Sequence, residues 1–377
     1  MSPRWDIFCK VVDNYGDAGV CWRLARQLAA EHGIAPRLWI DRLETLAWIA
    51  PQLDASRGQQ MIASVEVRRW AEPLPDVEPG AVVIETFGCD VPTAFAERMA
   101  RATHKPLWIN LEHLTAEAWA DDCHLLLSPH PRLPITRWFF YPGFSDRTGA
   151  LLREKGLLAA RDRFQVDRNS QDTLWAQLGM PARAHDELRV SLFCYDTAAA
   201  TALLNALAAE ARSVRVLAPE GVAAQALRSA FGTPANRTDV YNKQSVTVHT
   251  VAFLPQEQWD RVLWACDINI VRGEDSFVRA QWAGRPFVWA IYPQSDAAHR
   301  EKMAAFLGRY TEGLSAPAAR ALIALHEAWD TGADVGPAWG GFVRTLPEAA
   351  AHAYRWAEKL AAKRDLARNI IDLASRV

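Results

Sequence analysis

Charge of either sign is scarce in excess: 42 Lys and Arg stand against 44 Asp and Glu, a formal net charge of −2 over 377 residues. Without a basic surplus there is no bulk electrostatic reason to bind nucleic acid or an anionic membrane. Long apolar runs are missing too, and none approaches the ~20 residues of a membrane helix. Asp6 and Lys10 interrupt what would be the apolar centre of a leader, so no signal peptide is expected. Cysteine is sparse and scattered (Cys9, Cys21, Cys89, Cys123, Cys194, Cys266), with no C-x-x-C and no adjoining histidine pattern. Several of these lie in apolar, strand-like runs, so they read as buried thiols of a cytoplasmic protein, and a structural metal is not expected. No short-period repeat or low-complexity tail is visible. The dinucleotide fingerprint G-x-G-x-x-G is also lacking, which disfavours an oxidoreductase. Tryptophan, by contrast, is abundant, with 16 residues expected mainly as core filling.

The length suits two domains of ~150–190 residues, each able to bury its own core. Trp5–Val12 reads as a strand, 13–19 as a loop of Asx and Gly residues, and Val20–Glu31 as a helix stopped by His32-Gly33. Strands follow at Arg37–Ile40, Val65–Trp70, Ala81–Glu85, Pro106–Asn110 and Cys123–Leu127, with helices at Leu43–Ile49 and Thr93–Arg101. This alternation is that of an α/β, Rossmann-like domain. The strands end in polar residues, among them Asp13, Asp17, Asp41, Glu85, Asn110 and Glu112, which makes one rim acidic. Two aspartates in the first loop would repel a pyrophosphate. That loop fits better as a place that receives a cation or removes a proton.

Residues 128–150 are rich in Pro, Gly and aromatics and read as a rim loop; 153–180 read as a broken helical linker. A second alternation then begins. Strands are expected at Glu187–Cys194, Val214–Ala218, Ser245–Ala252, Ala265–Val271 and Phe287–Ile291, and helices at Thr197–Ala211, Val222–Phe231 and Pro255–Trp264. Between the last two strands, Arg272-Gly273-Glu274-Asp275-Ser276 leads into a helix expected over Phe277–Ala283. Ligands bind where parallel strands end, and the free N–H groups of a helix start suit phosphate oxygens, with Arg272 beside them. Glu274 and Asp275 could equally be ordinary helix-start acids favoured by the helix dipole. Three helical stretches close the chain, over Ala297–Tyr310, Ala316–Trp329 and a long amphipathic Leu346–Ser375.

The run from Asp13 to Arg26 (DNYGDAGVCWRLAR) and the run from Val271 to Gln281 (VRGEDSFVRAQ) resemble the bacterial elongation factor P arginine rhamnosyltransferases, the EarP family. Val83–Phe87, Cys89–Pro92, Lys105–Trp108, Phe139–Phe144 and Ile291–Gln294 are similar to that family as well. The resemblance implies a GT-B fold, two Rossmann-like domains facing across a cleft. It implies an acceptor-binding domain over 1–152, a linker over 153–180 and a nucleotide-sugar domain over 181–346, with the C-terminal helix of about 347–377 packing back on the first. It further implies transfer of L-rhamnose from dTDP-β-L-rhamnose to one arginine of elongation factor P, with inversion and without a metal or cofactor. The modified factor would then rescue polyproline-stalled ribosomes.

An arginine guanidinium stays protonated near neutrality and its lone pairs are delocalised, so an enzyme must grip the cation and take a proton. Paired carboxylates do this through charge-assisted hydrogen bonds. Asp17 is expected as general base, in line with the family pattern, and Asp13 as the residue that orients the guanidinium. Both could instead satisfy loop N–H groups as Asx turns. Glu274 is the rival base, or a carboxylate that stabilises an oxocarbenium-like transition state. For the donor, Arg272, Gly273, Ser276 and nearby N–H groups are expected on the diphosphate. Asp275 is expected to cap the turn and contact donor hydroxyls or phosphate-bound water. Phe193, Tyr195, Phe253 and Tyr292, all at strand ends, would hold the base, with Gln256 hydrogen-bonding it or the sugar. Each aromatic alone would read as core. Tyr15, Asp90, Asn110, Glu112 and Glu117 are candidates for contact with the acceptor protein. Competing readings are another GT-B glycosyltransferase acting on a small acceptor, and a non-catalytic module that docks on a translation factor.

Overall fold

The computed structural model describes residues 2–195, 197–232, 240–292 and 297–377. The chain forms two compact units, Met1–Lys155 with Leu360–Val377, and Gly156–Lys359.

The first unit runs β1 (Arg4–Cys9), α1 (Asn14–His32), β2 (Ala35–Ile40), α2 (Leu43–Ile49), β3 (Gln59–Ile62), β4 (Val65–Arg69), β5 (Val82–Thr86), α3 (Thr93–Arg101), β6 (Leu107–Leu111), α4 (Trp119–Cys123), β7 (Leu127–Pro129) and β8 (Thr136–Phe140). Its sheet has the order β3-β4-β2-β1-β5-β6-β8-β7, parallel except for the two edge strands β3 and β7. The central strands are apolar on both faces, as strands covered on both sides must be. Phe8, Trp39, Phe95 and Trp108 fill one face, with Phe8 and Trp39 stacked at 5.7 Å. Within this core Asp6 accepts hydrogen bonds from Arg37 Nη2 (2.9 Å), Trp39 Nε1 (2.8 Å) and Gly80 N–H (2.7 Å). A buried carboxylate satisfied on all sides in this way escapes the cost of an unpaired buried charge.

The second unit continues with α5 (Leu157–Val166), α6 (Arg168–Gln177), β9 (Leu188–Leu192), α7 (Ala198–Ala208), β10 (Val214–Pro219), α8 (Ala224–Phe231), β11 (Val240–Lys243), β12 (Val246–Val251), α9 (Gln256–Ala265), β13 (Ile268–Arg272), α10 (Glu274–Ala283) and β14 (Phe287–Ala290). α11 (Ala298–Tyr310), α12 (Ala316–Thr331), α13 (Val335–Arg344) and α14 (Leu346–Ala361) follow, and α15 (Leu366–Ala374) returns to the first unit. The second sheet has the order β11-β12-β10-β9-β13-β14, parallel apart from β11. None of the helices among the described residues is long and apolar enough to cross a membrane.

Several elements depart from the pattern read in the sequence. The expected strand over Cys123–Leu127 is instead the end of α4 and a turn, because Leu125 sits at a positive φ of 66° and the extended backbone resumes only at Leu127. The rim loop over 128–150 contains β8, whose aromatic residues add a parallel strand beside β6. Residues 157–177, expected in a linker, are α5 and α6 of the second unit. The short antiparallel strands β3 and β11, and α13 with its Gly and Pro, escape a reading by periodicity; buried Trp339 and Phe342 hold α13 in place. The long C-terminal helix breaks before Asp365, whose side chain accepts the Arg368 N–H and starts α15. That break lets Leu366 N–H reach Leu151 O (2.9 Å), while Arg153 donates to Ala361 O and Lys363 O.

Candidate active site

In the first unit the critical turn follows β1. The helix α1 begins six residues earlier than periodicity suggested, so Gly16, Asp17 and Gly19 lie in helix and not in a flexible loop. Asp13 is the residue before the helix, and its carbonyl accepts the Gly16 N–H at 2.7 Å. Asp17 folds back so that Oδ2 accepts the N–H groups of Val12 (2.8 Å) and Asp13 (2.9 Å). Two backbone donors at the entry to the helix are thereby satisfied by one carboxylate. Asp17 is only 4% exposed. Burial raises its pKa, opposed by the two backbone donors and by His113, and reinforced by Asp13. The expected placement of both acids on one glycine loop is therefore corrected: Asp17 lies buried in the first turn of α1, and Asp13 is half-buried just before the helix.

The remaining first-unit candidates occupy the ends of neighbouring strands. Tyr15 is half-buried in the first turn of α1. Asn110, at the end of β6, is buried and donates to Glu112 Oε1 at 2.7 Å. Glu117 accepts from the Thr115 hydroxyl at 2.8 Å. Asp90 is exposed and lies 3.7 Å from Arg137, which also bonds buried Glu85 at 2.6 Å. Burial raises the Glu85 pKa, and Arg137 lowers it. Asp90, an acceptor-contact candidate, thus stands within ion-pair range of Arg137. His113 was not singled out from the sequence. It is exposed, stacks on Phe87 at 4.4 Å and acts electrostatically on Asp17. A histidine directly after the polar end of β6 was the available signal.

In the second unit the candidates gather at the C-terminal ends of β9, β12 and β13. Gly273, between β13 and α10, has φ 64° and ψ −176°, a conformation open essentially to glycine alone. It turns the chain so that Glu274, Asp275 and Ser276 form the half-buried first turn of α10. The helix begins three residues earlier than expected, at Glu274. The Arg272 guanidinium carbon lies 4.7 Å from the ring centroids of both Phe193 and Tyr195, and Nη1 donates to Cys194 O at 3.4 Å. Phe253 packs on Phe193 at 6.2 Å and Tyr292 on Tyr195 at 5.3 Å. Gln256 Nε2 donates to Asp275 Oδ2 at 3.0 Å. Phe193 is buried, whereas Tyr292 is 61% exposed, so the aromatic set runs from core to surface. Pro293 and Gln294 of the family-like run lie outside the described residues. Beneath this layer Arg279 donates to both oxygens of Asp260 (3.0 and 2.7 Å), tying α10 to α9.

One unit presents carboxylates at strand ends, and the other a cation, aromatic faces and a helix start. Two parallel α/β units of this kind define a glycosyltransferase of the GT-B class. The fold agrees with Acinetobacter baumannii MurG (TM-score 0.53, 11% identity, covering 100% of both chains). A family model described as "Elongation-Factor P (EF-P) rhamnosyltransferase EarP" matches residues 5–375, and the chain belongs to the EarP family. Curated relatives named protein-arginine rhamnosyltransferase include those of Pseudomonas putida (45% identity, 98% of each chain) and Pseudomonas aeruginosa (44%, 97% of each). A solved structure titled "Structural basis for EarP-mediated arginine glycosylation of translation elongation factor EF-P" superposes with a TM-score of 0.70 at 33% identity, over 100% of this chain and 99% of that one.

Proposed function

We propose that this enzyme transfers L-rhamnose from dTDP-β-L-rhamnose to one arginine side chain of elongation factor P in the cytoplasm, with inversion and without a metal. The observation that carries the chemistry is Asp17, a buried carboxylate of raised basicity held in one rotamer by two N–H groups. In the reaction, Asp17 takes one N–H proton of the guanidinium. The freed nitrogen lone pair forms the bond to the anomeric carbon, while the bond from that carbon to the diphosphate oxygen breaks and its electron pair leaves with dTDP. Asp13 orients the cation through a charge-assisted contact. Glu274 stabilises positive charge at the anomeric carbon.

The second unit supplies what a departing diphosphate needs. Arg272 and the backbone N–H groups at the start of α10, with the Ser276 hydroxyl, offset the developing charge, which is why no metal is required in this reading. Tyr195, Phe253 and Tyr292, with buried Phe193 packed under Phe253, offer faces to the thymine, and Gln256 with Asp275 offers polar edges. Incubation with purified elongation factor P and dTDP-β-L-rhamnose, in the presence of a metal chelator, tests the proposal by intact mass. A gain of one deoxyhexose on a single arginine is expected, and fragmentation locates it. No mass gain, or modification of free arginine in place of the protein, overturns it. Proton NMR of the product reads inversion from the anomeric coupling.

A further inference from the structure

His113 acts on the charge of Asp17 but has no part in the transfer chemistry above. It follows β6 by two residues and is exposed, yet its ring is held, stacked on Phe87 at 4.4 Å with the planes 13° apart. Phe87, directly after β5, has φ 57°, a left-handed conformation that a bulky residue adopts only under constraint. Its N–H donates to Leu111 O at 2.7 Å, and the Cys89 N–H closes the turn onto Thr86 O at 3.1 Å. Strain of this kind persists where the surrounding structure over-determines it, and it collects at ligand sites. With one face of the exposed His113 ring covered by Phe87, the other face is turned outward.

The stacked pair belongs to the same row of strand ends as the base. β1, β5 and β6 are neighbours in the sheet, and Asp17, Phe87 and His113 follow their C-terminal ends in that order. α1 is tied to the end of β5, because Cys21, one turn after Asp17, donates through Sγ to Thr86 Oγ1 at 3.4 Å. The Thr86 hydroxyl in turn donates to Phe8 O at 2.8 Å. Asp17 Oδ2 is occupied by the Val12 and Asp13 N–H groups. Contacts to Oδ1 of Asp17 and to Asp13 would grip a guanidinium by its edge and leave its plane able to tilt. Tilting carries the reacting nitrogen off line. A flat face removes that freedom, and guanidinium groups stack on aromatic rings.

We infer that the Phe87–His113 stack is the platform of the acceptor site: the target guanidinium lies on the outward face of His113 while its edge meets Asp17. This rests on the transfer reading above. His113 then positions the acceptor, and Phe87 acts through it. The test uses the full-length enzyme with purified elongation factor P at pH 8, above the ordinary histidine range. His113→Ala removes the face, His113→Phe restores a flat ring, and Phe87→Leu removes the support beneath. Transfer kinetics, donor affinity and melting temperature are measured for each.

His113→Ala should lower kcat/KM for the protein about 3–10-fold, as loss of one stacked cation does. Donor affinity and melting temperature should stay at the wild-type values, since His113 is exposed. His113→Phe should return kcat/KM to within about twofold of wild type, because any aromatic face can receive the cation. Phe87→Leu should show a similar loss, and its combination with His113→Ala should lose no more than either alone, as expected for two rings that act as one surface. Unchanged kcat/KM in His113→Ala overturns the inference while the transfer reading stands. A loss that His113→Phe fails to restore assigns His113 a hydrogen bond in place of a face, and overturns it too. Additive losses at 87 and 113, or a low melting temperature for His113→Ala, do the same. Wild-type enzyme that leaves the factor unmodified sinks both readings.

Discussion

Asp17 Oδ2 receives the Asp13 backbone N–H at 2.9 Å, so the residue that starts α1 and the acid one turn later are locked to each other. Oδ2 takes both backbone donors, and Oδ1 takes neither. Burial holds the pKa up. The result is a fixed, partly desolvated carboxylate with one oxygen left for a proton.

Asp17→Asn keeps an acceptor oxygen for the two N–H groups but cannot take a proton. Turnover should fall by about 10²–10⁴, the usual size of a general-base contribution, while donor affinity in a calorimetric titration stays unchanged. In the wild type the acid limb of the rate should lie above the ordinary carboxylate range, because ionised Asp17 is the active form. Stability runs the other way. A carboxyl whose pKa is raised on folding stabilises the fold fully below its unfolded pKa of about 3.9 and loses that contribution as pH rises through the folded value. Asp17→Asn should therefore melt no lower than wild type at pH 7.5, with any advantage gone near pH 4. A large drop in melting temperature at pH 7.5 would contradict the burial argument.

Arg272→Lys separates charge from shape. Lysine keeps the positive charge but loses the planar group that stacks between Phe193 and Tyr195. Donor affinity should weaken by about 10–100-fold, in line with one lost charge-assisted contact and its stacking. Melting temperature should change little, since Arg272 is half-buried at the site rim. Tryptophan fluorescence during donor titration reads the affinity.

Arg279→Met breaks the buried pair with Asp260 and removes the cation that faces this carboxylate between α9 and α10. The cost should be about 3–5 kcal/mol, read by urea denaturation. Arg279→Met with Asp260→Leu should recover most of it, because two apolar groups of similar size leave no buried charge. If the single variant is as stable as wild type, the pair does not anchor α10.

His326 gives the second unit a pH limit. It is fully buried, its Nε2 accepts the Trp289 N–H at 3.2 Å, and burial lowers its pKa to about 4. A histidine with a depressed folded pKa contributes stability that is complete above its unfolded pKa of about 6.5 and is lost as pH falls toward the folded value. From 6.5 down to about 4 this single group should remove on the order of 3 kcal/mol. His326→Leu should cost about 1–3 kcal/mol at pH 7.5 through the stranded Trp289 N–H and flatten the acid slope. An unchanged slope in chemical denaturation from pH 7.5 to 4.5 would rule His326 out as its source.

Much of this enzyme was legible in the order of its residues. Alternating apolar strands and amphipathic helices specify two parallel α/β units, because a strand buried on both faces must be apolar throughout and its crossover must be helical. The two long motifs mark the turns after β1 and β13, and polar residues at strand ends mark the rims. What sequence could not convey is how the backbone spends its hydrogen bonds. Asp17 was read as half of a loop pair, and only the fold shows it as a helix-start acid turned back on Val12 and Asp13. Arg137 stands within ion-pair range of Asp90, and His113 enters the electrostatics of Asp17, through neighbours distant in the chain. Cys123–Leu127 read as one strand, whereas the chain ends α4 there, turns at Leu125 and is extended only from Leu127, because apolarity alone does not separate a turn from a strand. Composition and periodicity are local properties and select the elements. Burial, partner choice and basicity depend on which elements meet, and that was decided by tertiary packing.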